Sequence, residues 1–378
     1  MNVAVSGGND SVVYGPYIPL PVGKYTAQFQ ILSFGISPLA AGRVDVCCDL
    51  GKTIVAQKEF SPLSLKAKSG LVELDFEVQT PGEFEFRVAD YRRTDIRSLR
   101  RTLKAHEDYF GIAASPKTPV VFDEFFMEAS ARFHHMAQFG AKVLNIDDKL
   151  VLTMNGVNMH VQNMEDFQIV DEIHVLSTYN FRTPERCCVI DIGMNVGFSS
   201  LYFAHRELVE QVHSFEPFAA PYRRALQNIS LNPDIAGKIR PHNFGLAGKA
   251  ETKTVGYNEN TTIGTSIHGN GGEDSTTIVI KQASEVLRDI FETAKAHGQA
   301  IVIKMDCEGS EFGIFDDLAA SGLLADVHIF MIEWHKWWSA EKTDETLIQH
   351  LQDFGFAVFN TTQLHDPFAG MIYAAKGV

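Results

Sequence analysis

One stretch limits the fold of this chain more than any other: Val189-Ile190-Asp191-Ile192-Gly193-Met194-Asn195-Val196-Gly197. A short apolar run ends in an acid, a glycine-bearing turn follows, and an amphipathic segment runs from Phe198 to Arg206. That order predicts strand, tight loop and helix. Gly193 and Gly197 let the backbone turn sharply and let a ligand come close. Asp191, at the carboxyl end of a buried strand, is expected to face the crevice where open α/β sheets bind ligands. A second strand, Val212-His213-Ser214-Phe215-Glu216, also ends in an acid. Glu216 stands 25 residues after Asp191, close to the ~20-residue offset at which an acid meets a ribose diol in nucleotide-binding α/β units.

Two ligands fit such a unit, NAD and S-adenosylmethionine. The dinucleotide fingerprint requires Gly-x-Gly-x-x-Gly. Here Asn195 replaces the second glycine and Phe198 the third, so a pyrophosphate loses its close approach. A carboxylate before the first glycine also suits a cationic ligand, and Asp191 is expected to serve the ammonium of S-adenosylmethionine. A plain βαβ turn without a ligand accounts less well for two successive strands ending in acids.

Several motifs together resemble the FkbM family of S-adenosylmethionine-dependent methyltransferases. They are Val189 to Gly197, Phe215-Glu216-Pro217, Asn228 to Asn232, Lys304-Met305-Asp306-Cys307-Glu308-Gly309-Ser310-Glu311, and Ile332-Glu333-Trp334-His335. The likeness runs over roughly Leu152 to Lys376. Met194 departs from it, since the family usually places a small residue there. The resemblance implies a cofactor site of Asp191, Gly193, Asn195, Gly197, Phe215, Glu216 and Pro217, with Asn243 at the adenine edge. It implies a hydroxyl acceptor on a sugar, a glycan precursor or a polyketide.

Composition narrows the alternatives. At 378 residues the chain has room for two domains, and its 45% hydrophobic and 21% charged content is ordinary for a globular protein. A net charge of −14 argues against a nonspecific grip on nucleic acid. Met1 to Ser11 lacks the basic and apolar regions of a signal peptide. No window of ~18 apolar residues predicts a membrane span, so a cytoplasmic location is expected. The five cysteines include two adjacent pairs, Cys47-Cys48 and Cys187-Cys188, and no Cys-x-x-Cys; they read as reduced thiols.

Residues 1–91 read as a first unit. Gly15-Pro16-Tyr17-Ile18-Pro19-Leu20-Pro21 opens it, and prolines forbid a helix there. Strands are expected at 25–32, 43–49, 53–60, 71–78 and 83–89; Leu71 to Val78 alternates apolar and acidic residues. This spacing predicts an antiparallel β-sandwich. The opening also resembles small sandwich modules of bacterial sugar-processing enzymes, which implies glycan binding through aromatics such as Tyr14, Tyr17 or Tyr25; packing is the commoner role for any one of them. Residues 92–145 read as a helical connector, with a basic run of Arg92, Arg93, Arg97, Arg100, Arg101 and Lys104 that is expected to be a solvated helix face. Phe122 to Phe139 is expected to be a helix, and the neighbours His134 and His135 point to different sides of it, so they make no metal pair.

Residues 146–378 read as the methyltransferase domain. Asn155-Gly156 between apolar runs predicts a hairpin turn. Asp166 to Tyr179 is expected to be a helix; the family resemblance implies that this segment covers the cofactor side with Glu172 and Tyr179, while a lone glutamate on a helix is more often a surface charge, the reading favoured for Glu172. Ala300 to Asp306 is nearly all apolar, as a central parallel strand should be, and delivers Asp306 and Glu308 to the crevice; the next strand ends at Glu333, followed by His335. Removing a hydroxyl proton needs a carboxylate or histidine here, so Asp306, Glu308 and His335 are the expected catalytic residues. The same three side chains suit a loose divalent site, ranked below a metal-free site. Glu311 is equally a helix cap. The loop 262–272 has the composition of a lid and of an ordinary surface loop alike. Thr343 to Phe354 is expected to be a helix and 356–360 with 371–375 an antiparallel pair. The sum is a Rossmann-like, doubly wound seven-stranded sheet with an antiparallel edge behind a β-sandwich.

The expected activity is O-methylation of a sugar, glycan or related natural product. Two rivals remain: a noncatalytic glycan-binding scaffold and an NAD-dependent sugar-modifying enzyme. Whether the chain forms a homo-oligomer is left open.

Overall fold

The computed structural model describes residues 2–5, 11–33, 38–39, 42–90, 96–109, 117, 119–146, 149–257, 274–335, 343–361 and 369–376. The chain divides into two compact units, one of residues 1–154 and 161–164, the other of residues 155–160 and 165–378. The loop at 262–272, Arg92, Arg93, and the turn at 364–367 lie outside the described residues, as does the side chain of Tyr14.

The first unit contains strands β1 (Asn2–Val5), β2 (Ser11–Tyr14), β3 (Tyr17–Leu20), β4 (Gly23–Ser33), β5 (Gly42–Cys48) and β6 (Thr53–Phe60), then helix α1 (Pro62–Ala67). It continues with β7 (Leu71–Val78), β8 (Gly82–Asp90), β9 (Ile96–Ala105), β10 (Val120–Phe122), helix α2 (Glu124–Gln138), β11 (Lys142–Ile146) and β12 (Lys149–Met154). One sheet runs β1-β2-β8-β5-β6 with β3 also on β8; the other runs β10-β9-β4-β7, and their pairings are antiparallel. The alternation of Leu71 to Val78 puts Val72, Leu74, Phe76 and Val78 inside. Phe76 meets Phe86 of the facing sheet edge-on at 6.1 Å. This is the expected sandwich.

The helical connector is corrected. The described part of its basic run, 97–104, lies on strand β9, paired with β4 over Ser33 to Tyr25. Leu99, Arg101, Leu103 and Ala105 all face inward. Arg101 is 2% exposed and bonded to Glu124 and to the Gly15 carbonyl, because a buried cation must be paired. Helix α2 begins on Asp123, whose side chain accepts the Phe126 N–H at 2.8 Å, and buries Phe126, Phe133 and Met136 as expected. His134 bonds the Ser130 carbonyl and His135 packs on Phe139. Tyr25 is buried with its hydroxyl donating to the Pro21 carbonyl, while Tyr17 is exposed.

The second unit opens on β13 (Val157–His160), after a turn in which Asn155 and Gly156 both have positive φ, as a type I′ turn requires. There follow α3 (Met164–Val170), a π-type turn over 171–175, β14 (Cys187–Ile192), α4 (Phe198–His205), β15 (Val209–Phe215), α5 (Ala219–Ser230), α6 (Pro233–Ala236), β16 (Ile239–His242), β17 (Gly245–Ala247), β18 (Glu251–Tyr257) and β19 (Asp274–Gln282). The remaining elements are α7 (Ala283–Ala296), β20 (Ala300–Met305), α8 (Glu311–Ala320), β21 (Val327–His335), α9 (Asp344–Asp353), β22 (Phe356–Asn360) and β23 (Ala369–Lys376).

The main sheet runs β16-β15-β14-β20-β21-β23-β22. The first five strands are parallel; β23 is antiparallel to β21 and β22. Strands β14 and β20 are buried at every position, as strands covered on both faces must be. The core below them joins Ile190, Ile303 and Phe330 to Leu287 and Phe291 of α7 and Ile314 and Leu318 of α8. The chain leaves β14 toward β15 on one side and returns to β20 on the other. That reversal opens a crevice at the carboxyl ends of β14 and β20, the place where open α/β sheets hold ligands. Among the described residues no helix is long and apolar enough to cross a membrane.

Candidate active site

A cavity occupies this crevice. The loop after β14 forms its floor, the tips of β15 and β17 one end, and the tips of β20 and β21 the other. The floor loop is tightly specified. Gly193 has φ +82, and a Cβ there would stand 1.7 Å from the Asp306 carbonyl oxygen. Only glycine lets the β14 and β20 tips approach this closely. Gly197 has φ +88 and would press on Ala225 at 3.1 Å. Asn195 sits between them, also left-handed at φ +51. Met194 is buried and its N–H donates to the Phe215 carbonyl at 3.0 Å.

At the β15 end, Glu216 lines the cavity. Its two carboxylate oxygens accept the N–H groups of Asn195 at 3.0 Å and Phe218 at 2.9 Å. Burial pushes this carboxyl up to about 7, against those two donors, which favour the charged form. Around it stand Phe215, Pro217, Phe218, Leu246 and Ile280. Asn243 stands beside rather than in the cavity: its side-chain amide donates to the carbonyls of Glu216 at 2.9 Å and Pro217 at 3.4 Å, so it fixes the β15 tip.

Asp191 is not where the sequence predicts. It is fully buried beneath the cavity. One carboxylate oxygen accepts the hydroxyls of Ser199 at 2.8 Å and Ser200 at 2.5 Å; the other is paired with the Lys304 ammonium at 3.4 Å. The expected direct contact between Asp191 and a ligand is therefore corrected. Its charge is spent on the start of α4 and on the neighbouring strand.

The β20 end is built around that lysine, a buried cation that the sequence reading passed over. Lys304 lines the cavity and donates to the Gly193 carbonyl at 2.7 Å. It also pairs with Asp306 at 3.5 Å. Burial works against its ammonium, but Asp306 and Asp191 outweigh it and raise its pKa. The signal was a lysine inside an otherwise apolar strand, which demands acidic partners. The Tyr179 hydroxyl lies 3.2 Å from Asp306 and 3.4 Å from Glu333. Burial and then these two carboxylates hold the phenol well above its ordinary range. Burial, with Asp306 next, also pushes Glu333 up to about 8. Glu172, on the π-type turn, lines the same end, and burial raises its carboxyl too.

Asp306 and Glu308 line the cavity as expected. His335 is 7% exposed and stands behind them. Its Nδ1 lies 3.2 Å from Glu311 and its Nε2 3.7 Å from Glu308. Glu311 is fully buried and accepts the N–H groups of Cys307 and Gly309, so it caps the loop and orients the imidazole. Burial alone would lower the His335 pKa; the Glu311 hydrogen bond and the carboxylates of Glu311, Asp306 and Glu308 push it up to about 10. His335 thus stands behind the two cavity carboxylates, with Nδ1 held by Glu311.

Comparison with known proteins places this site in a family. The methyltransferase FkbM domain matches residues 191–358. Among solved structures, an FkbM methyltransferase from Methylobacillus flagellatus KT aligns at 13% identity and a TM-score of 0.35, over 66% of this chain and 59% of its own. The present chain thus spans less than two thirds of that protein. Precorrin-6y C5,15-methyltransferase from Geobacter metallireducens GS-15 aligns at 10% identity and 0.30, over 55% and 88%. Streptococcus pneumoniae Sp1610, solved in complex with S-adenosyl-L-methionine, aligns at 14% and 0.30, over 51% and 68%. Comparison with curated proteins gave no match. Residues 191–358, which run from the β14 tip past the end of β21, match the methyltransferase FkbM domain.

Proposed function

We propose that this protein is an S-adenosylmethionine-dependent O-methyltransferase acting on a hydroxyl of a sugar, glycan or related natural product. The observation that carries the reading is Glu216, a carboxylate at the β15 tip, lining the cavity with both oxygens oriented by backbone N–H groups. Each oxygen keeps a lone pair, which suits the two hydroxyls of a ribose. The donor set fits this cofactor in two further ways. Phe218, Leu246 and Ile280 offer flat apolar surface beside Glu216 for an adenine. The opposite end gathers Asp306, Glu308, Glu333 and Glu172, which suits a sulfonium and an ammonium and opposes a pyrophosphate, so NAD fits poorly.

Bound there, S-adenosylmethionine supplies an electrophilic methyl group. The chain's own residues do the rest. The Gly193 loop and Glu216 hold the cofactor, Lys304 and Asp191 keep the β14 and β20 tips in register beneath it, and Asp306 and Glu308 face the acceptor. A carboxylate of this end takes the hydroxyl proton, which contributes about 10²–10⁴-fold to such a transfer. The β-sandwich, similar to modules attached to sugar-processing enzymes, supports a glycan as acceptor. Calorimetric titration with S-adenosylmethionine, S-adenosylhomocysteine and NAD, followed by a labelled-methyl screen of sugar nucleotides and envelope glycans, tests the reading. Binding of the first two and methyl transfer to a hydroxyl are expected. Binding of NAD alone would overturn it, and cofactor binding without transfer to any acceptor would favour the noncatalytic scaffold.

A further inference from the structure

We propose that Asp306, Glu308 and His335 form a divalent cation site at the acceptor end of the cavity. One donor atom from each lies within 4.8 Å of the other two. That spacing spans a cation with bonds of about 2.1–2.5 Å. The arrangement is more than a cluster of acids. His335 is more than nine-tenths buried, and its two nitrogens are in different situations. Nδ1 is engaged by Glu311, which is itself fixed by two backbone N–H groups and fully buried. Nε2 makes no hydrogen bond among the described residues and points toward Glu308, 3.7 Å away. A carboxylate holding one ring nitrogen so that the other faces a cluster of oxygen donors is how metal-binding histidines are oriented.

The cluster also has the right neighbours. Lys304, which pairs with Asp306, is also occupied by the Gly193 carbonyl and by Asp191. Asp306 and Glu308 open on the cavity while His335 closes the back, so a cation held by all three keeps positions free on the cavity side. Binding a cation at Nε2 releases that nitrogen's proton to solvent, and two carboxylate oxygens with one imidazole form a borderline set that suits Mn²⁺ or Fe²⁺ better than a soft metal. Resting on the methyl-transfer reading, such an ion would bind two adjacent oxygens of the acceptor and make its hydroxyl more acidic. Asp306 would then be a ligand, and the proton would pass to Glu172, a further carboxylate lining that end. The acceptor class narrows to compounds with neighbouring oxygens, such as a vicinal diol.

The test is electron paramagnetic resonance of Mn²⁺ titrated into the full-length, chelator-treated protein, without cofactor. The six-line signal of free Mn²⁺ should be lost up to one equivalent. Glu308→Gln and Asp306→Asn should each weaken binding at least about 10-fold, and Glu311→Gln, which touches no metal, by about 10-fold through loss of the His335 orientation. Thermal melts confirm that each variant is folded; Glu308, 27% exposed, is the substitution least able to disturb the core. No loss of signal in the wild type, or equal binding in wild type and Glu308→Gln, overturns the site. Mn²⁺ binding without S-adenosylmethionine binding would leave the site standing and remove the methyl-transfer reading; the reverse result would do the opposite.

Discussion

The two ends of the cavity sit on the same sheet edge, yet their chemistry differs. At the β15 end a single carboxylate, Glu216, stands among Phe215, Phe218, Leu246 and Ile280, and backbone N–H groups fix it. At the β20 end carboxylates crowd together, and a buried lysine, a tyrosine and a histidine hold them apart. The first arrangement has the form that the proposed recognition of a pair of hydroxyls requires. The second stores negative charge where protons or cations can be exchanged. Strand tips in one fold therefore acquire different tasks from the neighbours supplied by adjacent strands and not from the acids themselves.

Asp191 makes the same point inside the floor. By position it matches Glu216, an acid at the end of a buried strand. But Ser199 and Ser200 on the first turn of α4, and Lys304 one strand away, capture it. Among the described residues Glu216 accepts hydrogen bonds from main-chain N–H groups, and each oxygen keeps a lone pair for the cavity.

The contrast can be broken by substitution. The largest effect is expected at the β20 end: Asp306→Asn should lower the methyl-transfer rate by about 10²–10⁴-fold while leaving S-adenosylmethionine affinity within a few fold, as measured by single-turnover kinetics beside calorimetry. Next comes Asp191→Ala. It leaves Lys304 buried without one of its two carboxylates, so denaturant unfolding should show a loss of about 3 kcal/mol, with the melt, not the cofactor contact, as the primary lesion. Gly193→Ala drives a Cβ into the Asp306 carbonyl and should cost about 2–3 kcal/mol in the same assay. Both ends should suffer, because the two strand tips separate.

A smaller effect sharpens the β15 end. The Glu216 carboxyl sits at about 7 in the folded chain, raised above its ordinary 4.5. The folded state therefore holds that proton more tightly than the unfolded chain does. Stability from this group is present below pH 4.5 and is lost as pH rises through 7. A ribose diol donates to the ionised form, so cofactor affinity should run the other way: the Kd falls about tenfold per pH unit below 7 and levels above it. Calorimetry from pH 5.5 to 8.5 measures the slope, and Glu216→Gln should flatten it.

The sheet was readable because its apolar strands end in acids and glycine turns. The sandwich strands were readable from their alternation. Strand β9 was not. Leu99 and Leu103 are four apart, a spacing shared by one face of a helix and one face of a strand, and the residue that separates the two readings is Arg101. Its burial depends on Glu124, a contact between residues 23 apart in sequence. Helix α7 carries its period openly in Leu287, Phe291 and Ala294 but holds no motif. In the site, Glu216, Asp306 and Glu308 line the cavity. The burial of Asp191 and the contact of His335 with Glu311 depend on partners contributed by other elements, which no single stretch of sequence displays. Lys304 was visible as a charge in an apolar strand, and its partners followed only from the pairing of β14 with β20.

The most direct measurement is S-adenosylmethionine binding by calorimetry to the wild type and to Glu216→Gln at pH 8. The account predicts one equivalent bound by the wild type and an affinity about 10- to 100-fold weaker in the variant, the loss of a charged hydrogen-bond acceptor. Equal affinity in the two proteins, or no binding to the wild type, would contradict it.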